Sequence, residues 1–198
     1  MANRRKQNKY DLTGKYGIGY TSKGEEFYFD FEDYETIKDY CWSINKLGYL
    51  LAKRRDNPKR TIYMHRMLMK DELAKHKKKL QVDHIDNIKV NNRRNNLRLA
   101  TAQQNRCNRR KIKSNTSGVI GVSWKEKDKK WHAALQVNRK RKYLGCYDTK
   151  EEAIIARIEG EKKYFGEFRP TYRNTKFTFT TKKISFGEQI SIFDLMAN

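Results

Sequence analysis

The sequence predicts an α+β fold built as two modules, and three observations support this prediction. Residues 26–31 alternate apolar and polar side chains, which is the period of two that a half-buried strand requires. Three more strand-like segments separated by charged turns follow Gly118, and after Thr149 the apolar spacing changes to that of a helix. Aromatic residues make up 12% of the 198 positions, which argues against a disordered chain.

The charge balance is strongly basic. The chain carries 45 lysine and arginine residues against 23 aspartate and glutamate residues, a formal net charge of +22. A compact surface this positive repels itself unless it meets a polyanion, whose counterions are then released. Nucleic acid is therefore the leading partner, with a solvated basic surface and an anionic membrane surface as alternatives. No run approaches the roughly 18 consecutive apolar residues of a membrane-spanning helix, so we expect no transmembrane segment.

The cysteines and the N-terminus indicate the cellular compartment. Cys41, Cys107 and Cys146 lie far apart and form no C-x-x-C pair. This pattern indicates neither a disulfide framework nor a zinc ribbon, and it fits a reducing cytoplasm. Residues 1–9 are basic and no apolar segment follows them, so we interpret them as a flexible arm rather than a secretory signal.

The first module is assigned to residues 10–110. Helical spacing predicts a helix over residues 33–41, and a strand is predicted at residues 61–65. A lysine-rich helix is predicted over residues 70–80, and a dense polar stretch follows it. Thr101 begins a T-x-x-Q sequence, which predicts the start of another helix. The polar stretch is therefore predicted to lie in a unit whose elements follow the order strand, long loop, strand, helix.

The second module is assigned to residues 118–168, after a polar linker at residues 111–117. A second capping box at Thr149 predicts a helix with an apolar stripe that ends near Gly166. The segments before it predict three antiparallel strands, over residues 119–124, 130–137 and 141–145. These segments together predict a sheet covered by one helix. The tail, residues 169–198, has no assigned role.

Asp83 and His84 stand side by side in the polar stretch. A carboxylate is a hard oxygen ligand for a divalent cation, and an imidazole is a base that titrates near neutral pH. A turn aspartate beside a surface histidine would give the same dipeptide. The first turn of the helix after Thr101 can fold back on the first strand, so Asn105 could join Asp83 in binding a cation. One carboxylate and one amide oxygen suit Mg²⁺ or Mn²⁺ rather than zinc.

Several segments of the first module together resemble the HNH endonucleases of bacteriophages and mobile introns. These segments are residues 63–68, 82–87, 91–98, 100–101 and 104–105. Residues 118–168 resemble the DNA-binding domain of the ethylene-response-factor (APETALA) type, which also occurs behind phage HNH nucleases. The resemblance implies an N-terminal HNH (ββα-metal) module, followed by a three-stranded antiparallel sheet packed on one helix.

The resemblance also implies roles for individual residues. His84 would be the general base that activates water against a phosphodiester. Asp83 and Asn105 would be the protein ligands of one Mg²⁺ or Mn²⁺ ion per active site.

Asn96 best matches the asparagine that pins the loop and so orients the histidine, and Asn95 and Asn92 stay open as alternatives. Asx turns would also account for these asparagines. His65 is predicted to be a packed, hydrogen-bonded residue on a strand rather than a ligand.

The predicted DNA contacts fall in two groups. Those around the first site are Arg93, Arg94, Arg98, Arg106, Arg109 and Arg110. Those on the second sheet are Lys125, Gln136, Arg139, Arg141 and Tyr143, whose side chains can reach bases or phosphates. Ile120, Ser123 and Ala134 replace two arginines and a glutamate of the plant pattern, so the plant recognition sequence is not carried over. Trp131 and Leu144 are predicted to pack under the helix.

The resemblance, together with the basic charge, implies a metal-dependent DNA endonuclease of homing-endonuclease type that nicks double-stranded DNA, and we expect a monomer. The alternative from another class is a DNA-binding regulator or structural protein of a phage or mobile element that has lost catalysis. RNA binding is disfavoured, because the DNA-binding domains that the second module resembles place their sheet in the major groove. The deep major groove of A-form RNA excludes side chains.

Overall fold

The computed structural model describes residues 7–53, 60–108 and 116–170, which divide into two compact units before and after the boundary between Ala102 and Gln103. Most of the predicted arm, linker and tail lies outside the described residues. Arg109 and Arg110, both predicted to contact DNA, also lie outside them. No helix in the described ranges is long and apolar enough to cross a membrane.

The first unit opens with an antiparallel sheet of β1 (Lys9–Asp11), β2 (Gly17–Tyr20) and β3 (Glu26–Phe29), in that order. The strand predicted over residues 26–31 is confirmed as far as Phe29, and Phe27 and Phe29 are both buried in the core. The prediction is wrong beyond Phe29, because Phe31 begins a 3-10 helix and is 42% exposed. On β2, which pairs with β3, a Cβ atom at Gly19 would lie 2.1 Å from the Phe27 ring. The close approach of the ring therefore requires glycine at this position.

The helix predicted over residues 33–41 is much shorter in the structure. A 3-10 turn leads into α1 (Tyr34–Ile37), which ends four residues earlier than predicted. Trp42 accounts for the early end, because its indole Nε1 donates to the carbonyl of Ile37 at 2.9 Å, and its backbone N–H donates to Asn8 Oδ1 at 2.6 Å. The bonds that hold this buried tryptophan therefore form in place of the last predicted helical turn.

A second antiparallel sheet follows, with strand order β4, β5, β6. Its strands are β4 (Ser43–Ile44), β5 (Leu50–Lys53) and β6 (Thr61–Tyr63). The strand predicted over residues 61–65 is wrong at its end, since α2 (Met64–Leu68) begins at Met64 and carries His65. Met64, His65 and Leu68 are all buried in this short helix, and their burial outweighs the strand pattern.

The lysine-rich helix predicted over residues 70–80 is also too long. The structure contains α3 (Lys70–Ala74), and the helix ends before Lys75. Lys75, Lys78 and Lys79 would stand three and four positions apart on one helical face, and like charges at these spacings destabilise a helix. The basic segment, residues 75–79, therefore lies outside the helix and is exposed to solvent.

The predicted order strand, loop, strand, helix is confirmed. It consists of β7 (Gln81–His84), a loop ending in a 3-10 turn, β8 (Leu97–Ala100) and α4 (Ala102–Cys107). The strands are antiparallel, and Asp83 lies opposite Arg98. Val82 and Leu97 bury their side chains in the core of the first unit, which fixes the face that each strand presents.

The second unit contains the predicted sheet and helix. The strands β9 (Val122–Lys125), β10 (Lys130–Val137) and β11 (Lys140–Tyr147) are antiparallel, with β10 in the centre. The helix α5 (Lys150–Phe165) is capped as predicted. The backbone N–H of Glu152 donates to Thr149 Oγ1, and the backbone N–H of Thr149 donates to Glu152 Oε2. The described chain therefore has a mixed α+β architecture.

Val122, Ala133, Ile154 and Ile158 form the core between this sheet and α5, and Trp131 and Leu144 pack against it as predicted. The first strand begins three residues later than predicted. Gly121 has φ +84°, in the left-handed region, and a Cβ at this position would lie 2.1 Å from the carbonyl oxygen of Ala134. A turn at Gly121 therefore precedes the strand.

Candidate active site and nucleic-acid surface

Asn96 and Asp86 hold the loop between β7 and β8. Asn96 Oδ1 accepts the backbone N–H of Asp86 at 3.0 Å, while its Nδ2 donates to Asp86 Oδ1 at 2.9 Å and to the Asn91 carbonyl at 2.8 Å. Asn91 donates in turn to Asp86 Oδ2 at 2.7 Å. Both donors and the acceptor oxygen of one buried asparagine amide thus close the loop on itself.

The three asparagines that the sequence left as candidates for this role have different positions. Asn96 is buried and makes the bonds just described, whereas Asn95 is exposed. Asn92 is fully buried and its Oδ1 lies 3.4 Å from His84 Nε2. Its backbone N–H donates to the carbonyl of Tyr28 at 2.8 Å, which ties the loop to β3. The geometry of Asn96 fits loop pinning, and that of Asn92 fits contact with the histidine.

His84 ends β7 and is only 4% exposed. Its ring centroid lies 5.1 Å from that of His65 and 6.1 Å from that of Tyr49. Burial lowers the pKa of His84, and the hydrogen bond to Asn92 and the charges of Asp86 and Asp83 offset part of this effect. The imidazole is therefore held in its neutral, basic form near neutral pH.

His65 is also buried, and its ring packs between Tyr49 at 5.3 Å and Tyr63 at 5.7 Å. Burial lowers its pKa to about 3, and the neighbouring His84 and Arg66 act in the same direction. The packing predicted for His65 is present. The expected hydrogen bond is not found at Nδ1, which has no partner among the described residues.

Asp83 is 6% exposed and pairs with Arg98 across the hairpin. Arg98 Nε and Nη2 donate to Asp83 Oδ2 at 3.0 and 2.8 Å. No group of three histidine, cysteine, aspartate or glutamate side chains in the described ranges is arranged to hold a metal ion. Asp83 nevertheless offers the hard oxygen donor that Mg²⁺ uses, since this ion keeps several waters and binds few protein ligands. Asn105 lies on α4, in the second compact unit.

Arg93 and Arg94, which lie in the loop before β8, also make intramolecular contacts. Arg94 donates from Nε and Nη2 to Asp33 Oδ1 at 3.1 and 2.7 Å, and Asp33 raises the pKa of its guanidinium. The guanidinium of Arg93 lies 4.4 Å from the centre of the Tyr16 ring, and its Nε donates to Asn91 Oδ1 at 2.9 Å. Contacts of these arginines and of Arg98 with DNA stay predictions.

The sequence around the hairpin also matches a known protein family. Residues 63–107, which include the whole β7–loop–β8 hairpin, match the HNH endonuclease family. Protein 3.8 of Escherichia phage T7 is 38% identical over 88 residues, which are 44% of this chain and 71% of that protein. The chain belongs to the HNH endonuclease family. An uncharacterized HNH endonuclease of Acanthamoeba polyphaga mimivirus is 27% identical over 146 residues, 74% of each chain. No solved structure shows a significant match.

Four of the predicted DNA contacts line one groove in the second unit. The groove has a volume of about 550 Å³, and Arg106, Gln136, Arg139 and Arg141 all line it. Asn138 and Arg139 form the turn between β10 and β11, with φ +49° and +65°. Left-handed residues at both turn positions match the twist of a two-residue hairpin, and this turn exposes Arg139.

Lys125 and Tyr143 lie elsewhere on this sheet, and Tyr143 is 54% exposed. The Tyr143 ring lies 5.5 Å from that of His132 on the neighbouring strand. Trp124 is also exposed, and its indole Nε1 donates to Glu126 at 2.7 Å. The sheet thus presents exposed aromatic and cationic side chains.

Sequence reasoning on the HNH motif missed the ion pairs. The pairing of Asp83 with Arg98 depends on the hairpin register, which a long loop between two strands leaves undetermined. The pairing of Asp33 with Arg94 joins segments far apart in the chain. In the second unit, Arg157 pairs with the fully buried Glu161 at 2.8 Å, and their i, i+4 spacing on α5 could have indicated this pair.

Proposed function

We propose that this protein is a divalent-metal-dependent DNA endonuclease that nicks double-stranded DNA at its HNH domain, acting as a monomer. The observation that carries the proposal is His84, a buried imidazole at the end of β7 beside a loop closed by Asn96. A buried histidine with a lowered pKa is the type of group that serves as a general base at neutral pH.

His84 would remove a proton from the attacking water. A proton on Nε2 would be donated to Asn92 Oδ1, 3.4 Å away, and Nδ1 would then be the basic nitrogen of the neutral ring. The packing of His65 and Tyr49 against the ring restricts its orientation. Asn96 contributes indirectly, because it fixes the loop that carries Asn92.

Asp83 would hold one Mg²⁺ or Mn²⁺ ion through its carboxylate oxygen, and Asn105, whose amide also offers an oxygen donor, stays the second predicted ligand. When bound, such an ion stabilises negative charge on the scissile phosphate and on the departing oxygen. Asp83 is suited to this role by its position next to His84, at the end of the same strand.

The second unit would hold the DNA through a domain similar to the APETALA type. Its three-stranded sheet covered by one helix supports this assignment, and the groove lined by Arg106, Arg139 and Arg141 supports contacts with phosphates. Two unlike DNA-binding units can read an asymmetric site without a two-fold axis, which favours a monomer.

The test is incubation of supercoiled plasmid with the full-length protein and Mg²⁺ or Mn²⁺. We expect conversion to the open-circular form, loss of this conversion in EDTA, and a fall of at least about 100-fold in His84→Ala, within the range for removal of a general base. His76→Ala is the matched control, because His76 is an exposed histidine of the same unit. DNA that is bound but remains uncut across a library of sequences would support the alternative of a binding regulator.

A further inference from the structure

Arg98 forms a buried ion pair with the carboxylate proposed to bind metal. Two of its nitrogens donate to Asp83 Oδ2 at 3.0 and 2.8 Å, and the side chains are 12% and 6% exposed. The two residues lie directly opposite each other in the β7–β8 register. The contact is therefore part of the hairpin itself and does not depend on a mobile surface side chain.

This pair has an electrostatic consequence for any cation at Asp83. A buried carboxylate requires a counter-charge, and here the guanidinium supplies it. A divalent cation bound to the same carboxylate would lie close to this positive charge. Because both groups are shielded from water, the repulsion is screened much less than at an exposed site.

We propose that Arg98 is a positioning residue that acts as a resident counter-ion and suppresses metal binding to the DNA-free protein. This inference rests on the assignment of Asp83 as a metal ligand in the proposed function. A DNA phosphate brings the negative charge that offsets the repulsion between Arg98 and the cation. A guanidinium pairs with phosphate as readily as with carboxylate, so Arg98 also gains an alternative partner when DNA enters.

Metal and DNA binding would then be coupled. If DNA increases the affinity for the cation, the cation must increase the affinity for DNA by the same factor. The protein without DNA would hold its cation weakly, and the complete site would assemble only on the substrate.

The test measures Mn²⁺ binding to the full-length protein without DNA, from the loss of the electron paramagnetic resonance signal of free Mn²⁺. Arg98→Met removes the charge and keeps an apolar stem, and Arg98→Lys retains the charge as the matched control. We expect Arg98→Met to bind Mn²⁺ more tightly by at least about tenfold, in the range by which neighbours of a ligand change metal affinity. Arg98→Lys should stay close to the wild type.

Equal or weaker Mn²⁺ binding by Arg98→Met, or no binding by any of the proteins, would overturn the inference. A purely structural role of Arg98 would predict weaker binding, because the ligand would lose its support. Adding Asp83→Asn to Arg98→Met should abolish the gained affinity. If it does not, Asp83 is not the ligand and the metal assignment of the proposed function fails instead.

A second measurement does not depend on how the Arg98 variants fold. In His84→Ala, which keeps Arg98, we expect an uncut DNA duplex to tighten Mn²⁺ binding by about tenfold or more, and Mn²⁺ to tighten DNA binding equally. Unchanged Mn²⁺ affinity in the presence of bound duplex would overturn the proposal. Circular dichroism of each variant confirms that the protein is folded.

Discussion

Arg94, in the loop of the HNH hairpin, forms an ion pair with Asp33, which lies 61 positions earlier in the chain. The contact at 2.7 Å joins a carboxylate that is 2% exposed to an arginine side chain that is 45% exposed. The backbone N–H of Arg94 also donates to Asp30 Oδ2 at 2.6 Å. The segment after β3 thus holds the loop through two carboxylates, Asp30 and Asp33.

The first prediction is that this ion pair stabilises the first unit. Asp33→Asn and Arg94→Gln should each lower the free energy of unfolding, and a double-mutant cycle should give a coupling energy of about 1–2 kcal/mol, because the arginine side is partly solvated. Urea unfolding followed by tryptophan fluorescence measures the free energy of unfolding of each variant. The exposed pair of Glu35 and Lys38 is the control, for which we expect no measurable coupling energy. Equal coupling in the two cycles would contradict this prediction.

The second prediction concerns the loop-pinning residue. Asn96→Asp should lower DNA cleavage by about 100-fold, the loss associated with small misplacement of a catalytic group. The aspartate cannot donate to Asp86 or to the Asn91 carbonyl, and it brings two carboxylates together. Initial rates of plasmid nicking measure the effect, while DNA affinity should change little. Asn95→Asp is the matched control, since Asn95 is exposed in the same loop. Similar losses in both variants would remove the special role of Asn96.

The elements that sequence predicted well depend on local signals. The capping box of Thr149 and Glu152 is complete within four residues. The turn predicted between residues 137 and 141 is equally local, and it is one residue shorter than predicted because β11 begins at Lys140. The position of Asp83 and His84 at the end of a strand also follows from the apolar residue before them. Local sequence therefore predicted the order of elements around Asp83 and His84.

The errors have tertiary causes. Trp42 ends α1 by binding the carbonyl of Ile37, and burial of His65 turns the end of a predicted strand into a helix. The opposition of Asp83 and Arg98 depends on a register that the long loop conceals. Each of these contacts joins residues whose proximity arises only from folding, so periodicity and capping rules do not reveal them.

The third prediction is an acid-dependent loss of stability caused by His65. Burial lowers its pKa from 6.5 to about 3. The unfolded chain gains a proton below about pH 6.5, whereas the folded chain gains it only near pH 3, so the free energy of unfolding falls as pH decreases across this window. The contribution of one such group is about 1.4 kcal/mol per pH unit. Above about pH 6.5 it adds no pH dependence.

His65→Phe keeps a ring between Tyr49, Tyr63 and His84 but cannot be protonated. Urea unfolding at several pH values should give a shallower decline for this variant than for the wild type. The difference between the two curves is the readout, because burial lowers the pKa of His84 as well. His76→Gln is the control at an exposed histidine and should parallel the wild type. Parallel curves for His65→Phe would show that His65 does not cause the loss.

The fourth prediction concerns the groove in the second unit. Arg141→Ala should weaken DNA binding and reduce the slope of log affinity against log salt by about 0.9, the value for one lost phosphate contact. Arg141 is exposed on β11 and lines the groove with Arg106 and Arg139. Lys162→Ala is the matched control, because Lys162 is an exposed cation of the same unit that lies on α5 rather than on the sheet. Fluorescence anisotropy with a labelled duplex at four or more salt concentrations gives both slopes. The net charge falls by the same amount in the two variants. A slope that changes only in Arg141→Ala would therefore assign the phosphate contact to the groove. Equal changes in both slopes would mean that the total charge alone attracts DNA.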